Sequence, residues 1–372
     1  MTEIYLIRHT HAEGNGYRAM QGQWDGNITA LGKAQLDALA ERFRTVKVDA
    51  VFSSDLSRAM ATARAVARYH DLPVQPTPAL REIQMGRWER RFWGDLLREE
   101  PETVRTFRTD GELWQVEGSE TLREVGERAL SALTAIARDY DGKSVALVSH
   151  GVTIRCLLSR LLNVPVSGPE APICHNTGVC RFTYENGVFT PDYINDCSHL
   201  EGLSVRHWDD TPVLWARPME ETDSEFYCRC YEDAWMSAHG DLTGFHAEPY
   251  LRSALSHGRS APGCVLCLFE GETPAGLLDL DPKRGAHAGY GWISLFYLCP
   301  PWRGRGCSQQ LLGRAVLYFA AQGRRALRLT VAEENEIALH FYQNHGFRVI
   351  GEEPGSTGRL LLMEHRIGVD YV

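Results

Sequence analysis

Over the first 150 residues, short apolar runs alternate with longer stretches whose apolar residues recur at helical spacing. This alternation restricts the possible folds more than any other feature of the chain. Ile4–Ile7, Ala50–Ser53 and Ser144–Ser149 are apolar runs with no polar alternation, the pattern of strands buried on both faces of a parallel sheet. Thr29 to Phe43 carries Leu36, Leu39, Ala40 and Phe43 on one helical face, behind a threonine suited to cap the first turn. The same spacing recurs over Arg58–Tyr69 and Glu120–Tyr140. Strands alternating with helices predict an α/β fold built on a doubly wound parallel sheet.

The pattern changes after a polar, proline-punctuated stretch at residues 207–212, which reads as a linker. Beyond it, Val213–Arg217 reads as a strand and Glu221–His239 as helical. Val265–Phe269 and Gly276–Asp279 read as a hairpin around Gly271, and Gly291–Leu298 as a further strand. Helices at Ser308–Gln322 and Glu336–His345, and strands at Ala326–Val331 and near Leu360–Glu364, complete an α+β domain on a mixed sheet. The division is therefore a first domain at 1–206, a linker at 207–212 and a second domain at 213–372. A length of 372 residues, 44% of them hydrophobic, supplies a core for each. With its own sheet, each half is expected to fold alone.

Composition narrows the classes of partner. The net charge of −9 argues against a nucleic-acid face, and no apolar run approaches the ~18 residues of a membrane span. Glu3 and Arg8 inside the first strand argue against a cleavable leader, so a cytoplasmic chain is expected. The ten cysteines lack framework spacing and read as buried free thiols. A zinc site from Cys228, Cys230, Cys264 and Cys267 is the weaker reading, because three-residue spacing on a strand points Cys264 and Cys267 to opposite faces. Lysine occurs only at positions 33, 47, 143 and 283; the bias to arginine fits phosphate-handling pockets, and a GC-rich coding sequence would produce it too.

The predicted strand ends of the first half carry polar side chains. Arg8-His9 follows the first, Ser53-Ser54 with Arg58 just beyond follows the second, and Ser149-His150-Gly151 follows the third. Open α/β sheets bind ligands at these carboxyl ends, so the groups should converge. Two arginine forks can clamp a dianionic phosphoryl group while an imidazole attacks phosphorus in line. His150 also precedes a helix starting near Val152, whose positive end favours phosphate.

Leu6-Ile7-Arg8-His9-Thr10…Asn15 resembles the Arg-His-Gly signature of the histidine phosphatase superfamily, the phosphoglycerate mutase-like proteins. Agreement continues through Gln21-Gly22…Asp25, Ser53-Ser54-Asp55-Leu56-Ser57-Arg58, Leu80-Arg81-Glu82-Ile83, Gly118-Ser119-Glu120 and Val148-Ser149-His150-Gly151. The resemblance implies a sheet of the phosphoglycerate mutase type and a small-molecule phosphomonoester as substrate. It implies that His9 becomes phosphorylated, that Arg8, Arg58 and His150 hold the phosphate with Asn15 beside it, and that Glu82 is the general acid. On this reading no metal or cofactor takes part in the first half. Phosphoglycerate mutase-type transfer is the rival to hydrolysis, although the insertions typical of true mutases are absent. Thr10 stands where glycine is usual and His11 where an acidic residue is common; both are expected to alter the pocket wall, and His11 is expected to be a neutral surface histidine.

In the second half, a strand runs into Pro300-Pro301 and then Arg303-Gly304-Arg305-Gly306-Cys307-Ser308 before a helix. Backbone amides around the two glycines and the helix's positive end suit a pyrophosphate. Phe296-Tyr297-Leu298…Pro301-Trp302-Arg303-Gly304-Arg305-Gly306 resembles the acyl-CoA motif of the GNAT acetyltransferases, and Asn335…Phe341-Tyr342…Gly346-Phe347 is similar to that family's second cofactor motif. The resemblance implies an α+β GNAT-like domain that takes acetyl-CoA and an amine acceptor, either a small molecule or a protein amine. Arg303, Gly304, Arg305, Gly306, Cys307 and Ser308 would then hold the pyrophosphate, and Phe296, Tyr297 and Leu298 would pair with the pantetheine. Asn335 would bond the cofactor arm and Tyr342 would protonate the leaving thiolate. Asp279, Asp281 and His287 precede the central strand and are open candidates for the base. The whole reads as a bifunctional enzyme, with one half acting only as a ligand sensor for the other as the alternative.

Overall fold

The computed structural model describes residues 1–203, 210–355 and 358–368; positions 207–209 of the expected linker lie outside them. The first half runs β1 (Thr2–Arg8), α1 (Glu13–Tyr17), α2 (Ala30–Phe43), β2 (Ala50–Ser53), α3 (Ser57–Ala67) and β3 (Val74–Pro76). It continues through α4 (Trp93–Glu99), α5 (Pro101–Thr109), α6 (Leu122–Asp139), β4 (Ser144–Ser149), α7 (Gly151–Leu162), β5 (Val179–Glu185) and β6 (Val188–Asp196). The Thr29 hydroxyl accepts a hydrogen bond from the Gly32 amide and so caps α2. Thr121 and Glu124 close a reciprocal capping box at the start of α6.

The strands form a six-stranded sheet in the order β3-β2-β4-β1-β5-β6. The four central and left-hand strands are parallel, as the apolar runs predict, while β5 and β6 add antiparallel to β1. That hairpin extends the predicted sheet. Its outer strand is largely exposed and contains Pro191, so no apolar run announces it. Register does the positioning: Arg8 lies beside Ser149, and Ser53 beside Val148, so the three predicted strand ends stop level with one another. Helices α4 and α5 sit above this edge around Trp88, Phe107 and Trp114, whose ring centroids lie 4.9–5.9 Å apart.

The second half runs β7 (Trp215–Pro218), α8 (Ser224–His239), α9 (Glu248–Ser260), β8 (Val265–Glu270), β9 (Thr273–Asp281), β10 (Tyr290–Leu298) and α10 (Ser308–Ala320). Then come β11 (Ala326–Ala332), α11 (Glu336–Asn344), β12 (Arg348–Pro354) and β13 (Arg359–Arg366). The seven-stranded mixed sheet has the order β12-β13-β11-β10-β9-β8-β7. Its one parallel ladder, between β10 and β11, spans only Tyr290–Trp292 against Ala326–Arg328. Beyond it the facing edges of β10 and β11 no longer pair, and a bulge between Ile293 and Leu295 bends β10 at that point.

The halves are not two bodies joined only by a connector, which removes the ground for expecting each to fold alone. Tyr17 and Ala19 of the first half are buried in the same apolar cluster as the core of the second. Helices α1 and α10 cross at two glycines: a Cβ on Gly313 would lie 2.5 Å from Tyr17 Cβ, and one on Gly16 2.0 Å from Gln309 Oε1. Beside them the Arg314 guanidinium donates to both carboxylate oxygens of Asp95 at 2.8 Å, and Asp95 also accepts from the Ala216 amide at 2.9 Å. Arg314 is 6% exposed, so this pair is desolvated. Removing one partner of such a pair strands the other charge and costs roughly 3–5 kcal/mol. Arg314→Met is therefore expected to destabilise the intact chain by about 3 kcal/mol and to raise hydrogen exchange in α4 of the first half; unchanged exchange there would show that the halves unfold separately.

Candidate functional site

The level ends of β1, β2 and β4 gather His9, Arg8, Arg58 and His150 into one pocket, with Glu82 at its side. His9 is 2% exposed, and its backbone amide donates to the Ser149 carbonyl at 2.9 Å. Its Nδ1 lies 2.7 Å from the Thr10 carbonyl oxygen. A carbonyl can only accept, so Nδ1 carries the proton and Nε2 keeps its lone pair. Burial first, then the charges of Arg58 and Arg8, hold this imidazole well below its ordinary range, so it stays neutral. The His150 ring centroid lies 5.0 Å from that of His9. His150 Nε2 is 2.8 Å from the Ser54 hydroxyl, while its buried Nδ1 has no partner.

Arg58, fully buried, donates to the carbonyls of Trp24 and Gly22 at 2.8 Å and to Asp25 at 3.1 Å. Arg8 donates to the Cys174 carbonyl at 2.7 Å, and its Nε is buried without a partner. Gly151 begins α7 against the Arg8 guanidinium: a Cβ there would sit 3.3 Å from Arg8 Cζ. The Glu82 carboxylate is seated on the start of α7, accepting from the amides of Ile83, Val152 and Thr153 and from the Thr153 hydroxyl at 3.0–3.2 Å. Asn15 is placed differently from its fellows: its Oδ1 accepts from the Ala12 amide at 3.0 Å and closes the first turn of α1.

One expectation is corrected, at Thr10. Thr10 does not form the pocket wall; its hydroxyl donates to the Gly32 carbonyl at 2.7 Å, which anchors the loop after His9 to α2. His11 is half-buried: its Nδ1 lies 2.9 Å from the Thr29 hydroxyl, and desolvation pushes its pKa down to about 4, which agrees with the neutral state expected of it. Sequence reading also missed residues that hold the pocket together. Asn176 donates to the His9 carbonyl at 2.8 Å from a loop lacking any periodic signal. Arg155 lies one turn along α7 from Gly151 with its guanidinium 5.2 Å from the Phe107 ring centroid, and its Nε and Nη2 are buried without hydrogen-bond partners. A buried arginine at that spacing from His150 was the available signal.

In the second half, Tyr342 is buried with its ring centroid 6.0 Å from that of Phe296. Burial raises the Tyr342 phenol, which keeps it protonated. Tyr297 donates to Asp233 at 2.7 Å, and the Leu298 carbonyl accepts from Arg303 Nε at 2.8 Å. The Arg303 guanidinium also reaches Asp233, so its side chain is committed to the protein, and Arg305 donates to the Pro301 carbonyl at 3.3 Å. Gly304 and Gly306 take left-handed φ values of 70° and 82° just before Cys307 and Ser308 open α10. This is the turn and helix end that an extended anionic ligand requires, beside unpaired strand edges that its amides can join. Asn335 caps α11 through the Ala338 amide at 3.1 Å instead of standing free. All ten cysteines are free, and among the described residues no three His, Cys, Asp or Glu side chains are grouped to hold a metal ion. Among those residues, too, no helix is long and apolar enough to cross a membrane.

Comparison with known proteins agrees with both halves. The pattern of the histidine phosphatase superfamily (branch 1) matches residues 4–197, and that of the acetyltransferase (GNAT) family matches residues 219–347. The chain is similar to the "Probable phosphoglycerate mutase GpmB" of Enterobacter sp. (strain 638), with 32% identity over 210 residues, 55% of this chain and 98% of that protein. The protein of the same name from Citrobacter koseri is 31% identical over 211 residues, with the same coverage of 55% and 98%. Among solved structures, "Bacillus stearothermophilus YhfR" is 29% identical with a TM-score of 0.52, covering 54% of this chain and 100% of that one. The chain belongs to the histidine phosphatase superfamily, branch 1, and carries a GNAT acetyltransferase domain behind the phosphatase domain.

Proposed function

We propose that the first half hydrolyses a small-molecule phosphomonoester through a phosphohistidine at His9, and that the second moves an acetyl group from acetyl-CoA to an amine. The observation that carries the first reading is the Nδ1–Thr10 hydrogen bond, which leaves the Nε2 lone pair among two arginines and a second histidine. Nε2 attacks phosphorus as the ester P–O bond breaks, and Glu82, reacting in its protonated form, gives that proton to the departing oxygen. Water then attacks the phosphohistidine, gives its proton to Glu82, and phosphate leaves with His9 restored. Arg8, Arg58 and His150 balance the charge on the phosphoryl oxygens throughout, and the Asn15 amide group adds a donor at the rim. No step calls on a metal.

The relatives named as phosphoglycerate mutases favour a second reading, in which a substrate hydroxyl takes the phosphoryl group in place of water. Product analysis separates the two. Arg155 supports a substrate with a second anion, such as a carboxylate, because its two unpartnered nitrogens lie under the α5 aromatic cluster.

For the second half, support comes from the unpaired edges of β10 and β11 beyond Trp292 and Arg328, which suit the amides of a pantetheine arm along Phe296, Tyr297 and Leu298. The backbone from Arg303 to Ser308 suits the pyrophosphate, Asn335 retains its amide nitrogen for the arm, and Tyr342 is placed to protonate the thiolate. Acetyl-CoA supplies the activated acyl carbon. Ten free thiols fit a reducing, cytoplasmic setting.

His9→Ala is expected to abolish phosphate release and protein labelling by a phosphorylated substrate, and EDTA is expected to leave the wild-type rate intact. Loss of activity in EDTA with recovery on adding magnesium would overturn the mechanism. Because the His9 imidazole stays neutral well below the ordinary range, kcat/KM is expected to show no loss as pH falls through 6.5, where an unperturbed histidine would gain its proton. Arg155→Met is expected to raise KM about tenfold for a phosphorylated hydroxy acid and to leave p-nitrophenyl phosphate hydrolysis within about twofold.

A further inference from the structure

On the reading that the second half transfers acetyl groups, we infer that its acceptor binds as an ammonium ion between the Asp279 carboxylate and a collar of aromatic rings from α8, α9 and their connecting loop. Asp279 lies on β9 opposite Leu295, at the bulge of β10, and is 4% exposed. Its Oδ2 accepts from the Tyr227 hydroxyl at 2.7 Å, while its Oδ1 is buried with no partner. An orphaned carboxylate oxygen in the interior is costly unless something brings it a donor. Among the described residues no lysine or arginine forms an ion pair with it. The titratable groups that act on it are His257 of α9 and Asp281 at the end of β9 itself, which lie 3.9 Å from each other. Burial pushes the Asp279 carboxyl up to about 6, and a cation beside it would bring it down again.

The rings above it supply the other half of the recognition. Tyr231 stacks on Tyr250 with centroids 4.5 Å apart and lies 6.0 Å from Phe245, which is 4.9 Å from Trp235. Tyr227, bonded to Asp279, is 5.6 Å from Tyr231, so the collar is continuous with the carboxylate. Tyr250 is 38% exposed and opens this stack to solvent. Electron-rich ring faces over a carboxylate attract a cation with an apolar body and repel anions. The acceptor is therefore an alkyl or aralkyl primary amine without a carboxylate.

Position links the collar to the acyl crevice. The Tyr231 hydroxyl reaches the carbonyl of Ser294 at 3.5 Å, and Ser294 is the bulge residue just beyond the last rung of the β10–β11 ladder. There the ammonium passes one proton to Asp279, and the freed lone pair forms the C–N bond to the thioester carbon. The C–S bond breaks with its electron pair going to sulfur, which takes a proton from Tyr342. The second proton lost by nitrogen replaces the one Tyr342 gave, and Asp279 releases its own to water. The products are the acetamide, the CoA thiol and one proton.

The test is calorimetric titration of the intact protein with phenyltrimethylammonium, a permanent cation that cannot be acetylated, against its neutral isostere tert-butylbenzene. The cation is expected to bind at least tenfold more tightly than the isostere, and Asp279→Asn to weaken it tenfold or more. Tyr250→Ala, at the exposed rim, is expected to weaken it threefold or more at an unchanged melting temperature, which keeps the test decisive should the Asp279 variant misfold. Phenyltrimethylammonium should also compete with phenethylamine in CoA-thiol release. Equal binding of the two probes, or full cation affinity in a folded Asp279→Asn protein, would overturn the site. Cation binding that depends on Asp279, without thiol release from any primary amine, would sustain the site and overturn the transfer reading instead.

Discussion

The phosphoryl site rests on one constraint, the parallel register between β1 and β4. Arg8 lies beside Ser149 in that ladder, so the residues that follow each strand, His9 and His150, leave the sheet at the same level. A slip of one residue would turn every side chain of β1 to the opposite face and separate the two imidazoles. Register is secured because both faces of these strands are buried: Ile4, Leu6, Val145 and Leu147 pack on one side, Ile7, Ala146 and Val148 on the other. The same apolar packing that forms the core therefore sets the distance between the His9 and His150 rings. Function here is a property of strand pairing before it is a property of any single histidine.

Once register is set, the remaining geometry follows from short polar connections that hold each group in a single orientation. Thr10 is tied to α2 and to the Thr62 hydroxyl, which fixes the carbonyl that in turn fixes the His9 tautomer. Arg58 spends three hydrogen bonds on the Gly22–Asp25 loop and keeps Nε without a protein partner. The pocket thus holds unpartnered buried nitrogens on Arg8, Arg58 and His150 at once, the two guanidinium donors among them being groups that an oxyanion would satisfy. Preorganisation of this kind is what electrostatic catalysis needs, since the donors do not reorient as charge moves.

How far the sequence revealed all this depends on the kind of signal each part carries. The strands ending in Arg8, Ser53 and Ser149 were legible because fully buried parallel strands are unbroken apolar runs, and the cap at Thr29 because a side chain of that type is needed there. The pocket's histidines and arginines were legible as residues following those runs, and the family resemblance supplied their expected roles. What escaped notice depends on contacts distant in sequence. The β5–β6 hairpin, the helices α4, α5 and α9, and strand β12 have mixed polarity because one face of each meets solvent. Asn176 acts from a loop with no periodicity. His11 reads as an ordinary polar residue until the fold half-buries it against Thr29. The shared core was the largest omission, for Tyr17 and Gly313 lie almost 300 residues apart and nothing local marks either as half of an interface.

That interface determines what each domain can do to the other. Helix α1 starts four residues after His9, and α10 starts at the turn suited to an acyl-carrier pyrophosphate, yet the two helices meet through glycines whose Cα atoms lie too close to the facing side chains for a Cβ. The Asp95–Arg314 pair and the Ala216 amide pin the adjoining α4 in the same way. Signalling between sites requires an element with two arrangements of similar free energy, and the close glycine packing beside a buried ion pair makes displacement of α1 against α10 costly. The interface is therefore a strut. Ligand held at α10 would stabilise the folded chain by mass action, and since the core is common, the phosphoryl site would share that stability with no change in its own geometry. Fusion of the two families in one chain then has a physical consequence of its own: the marginal stability of each pocket is underwritten by the packing of both.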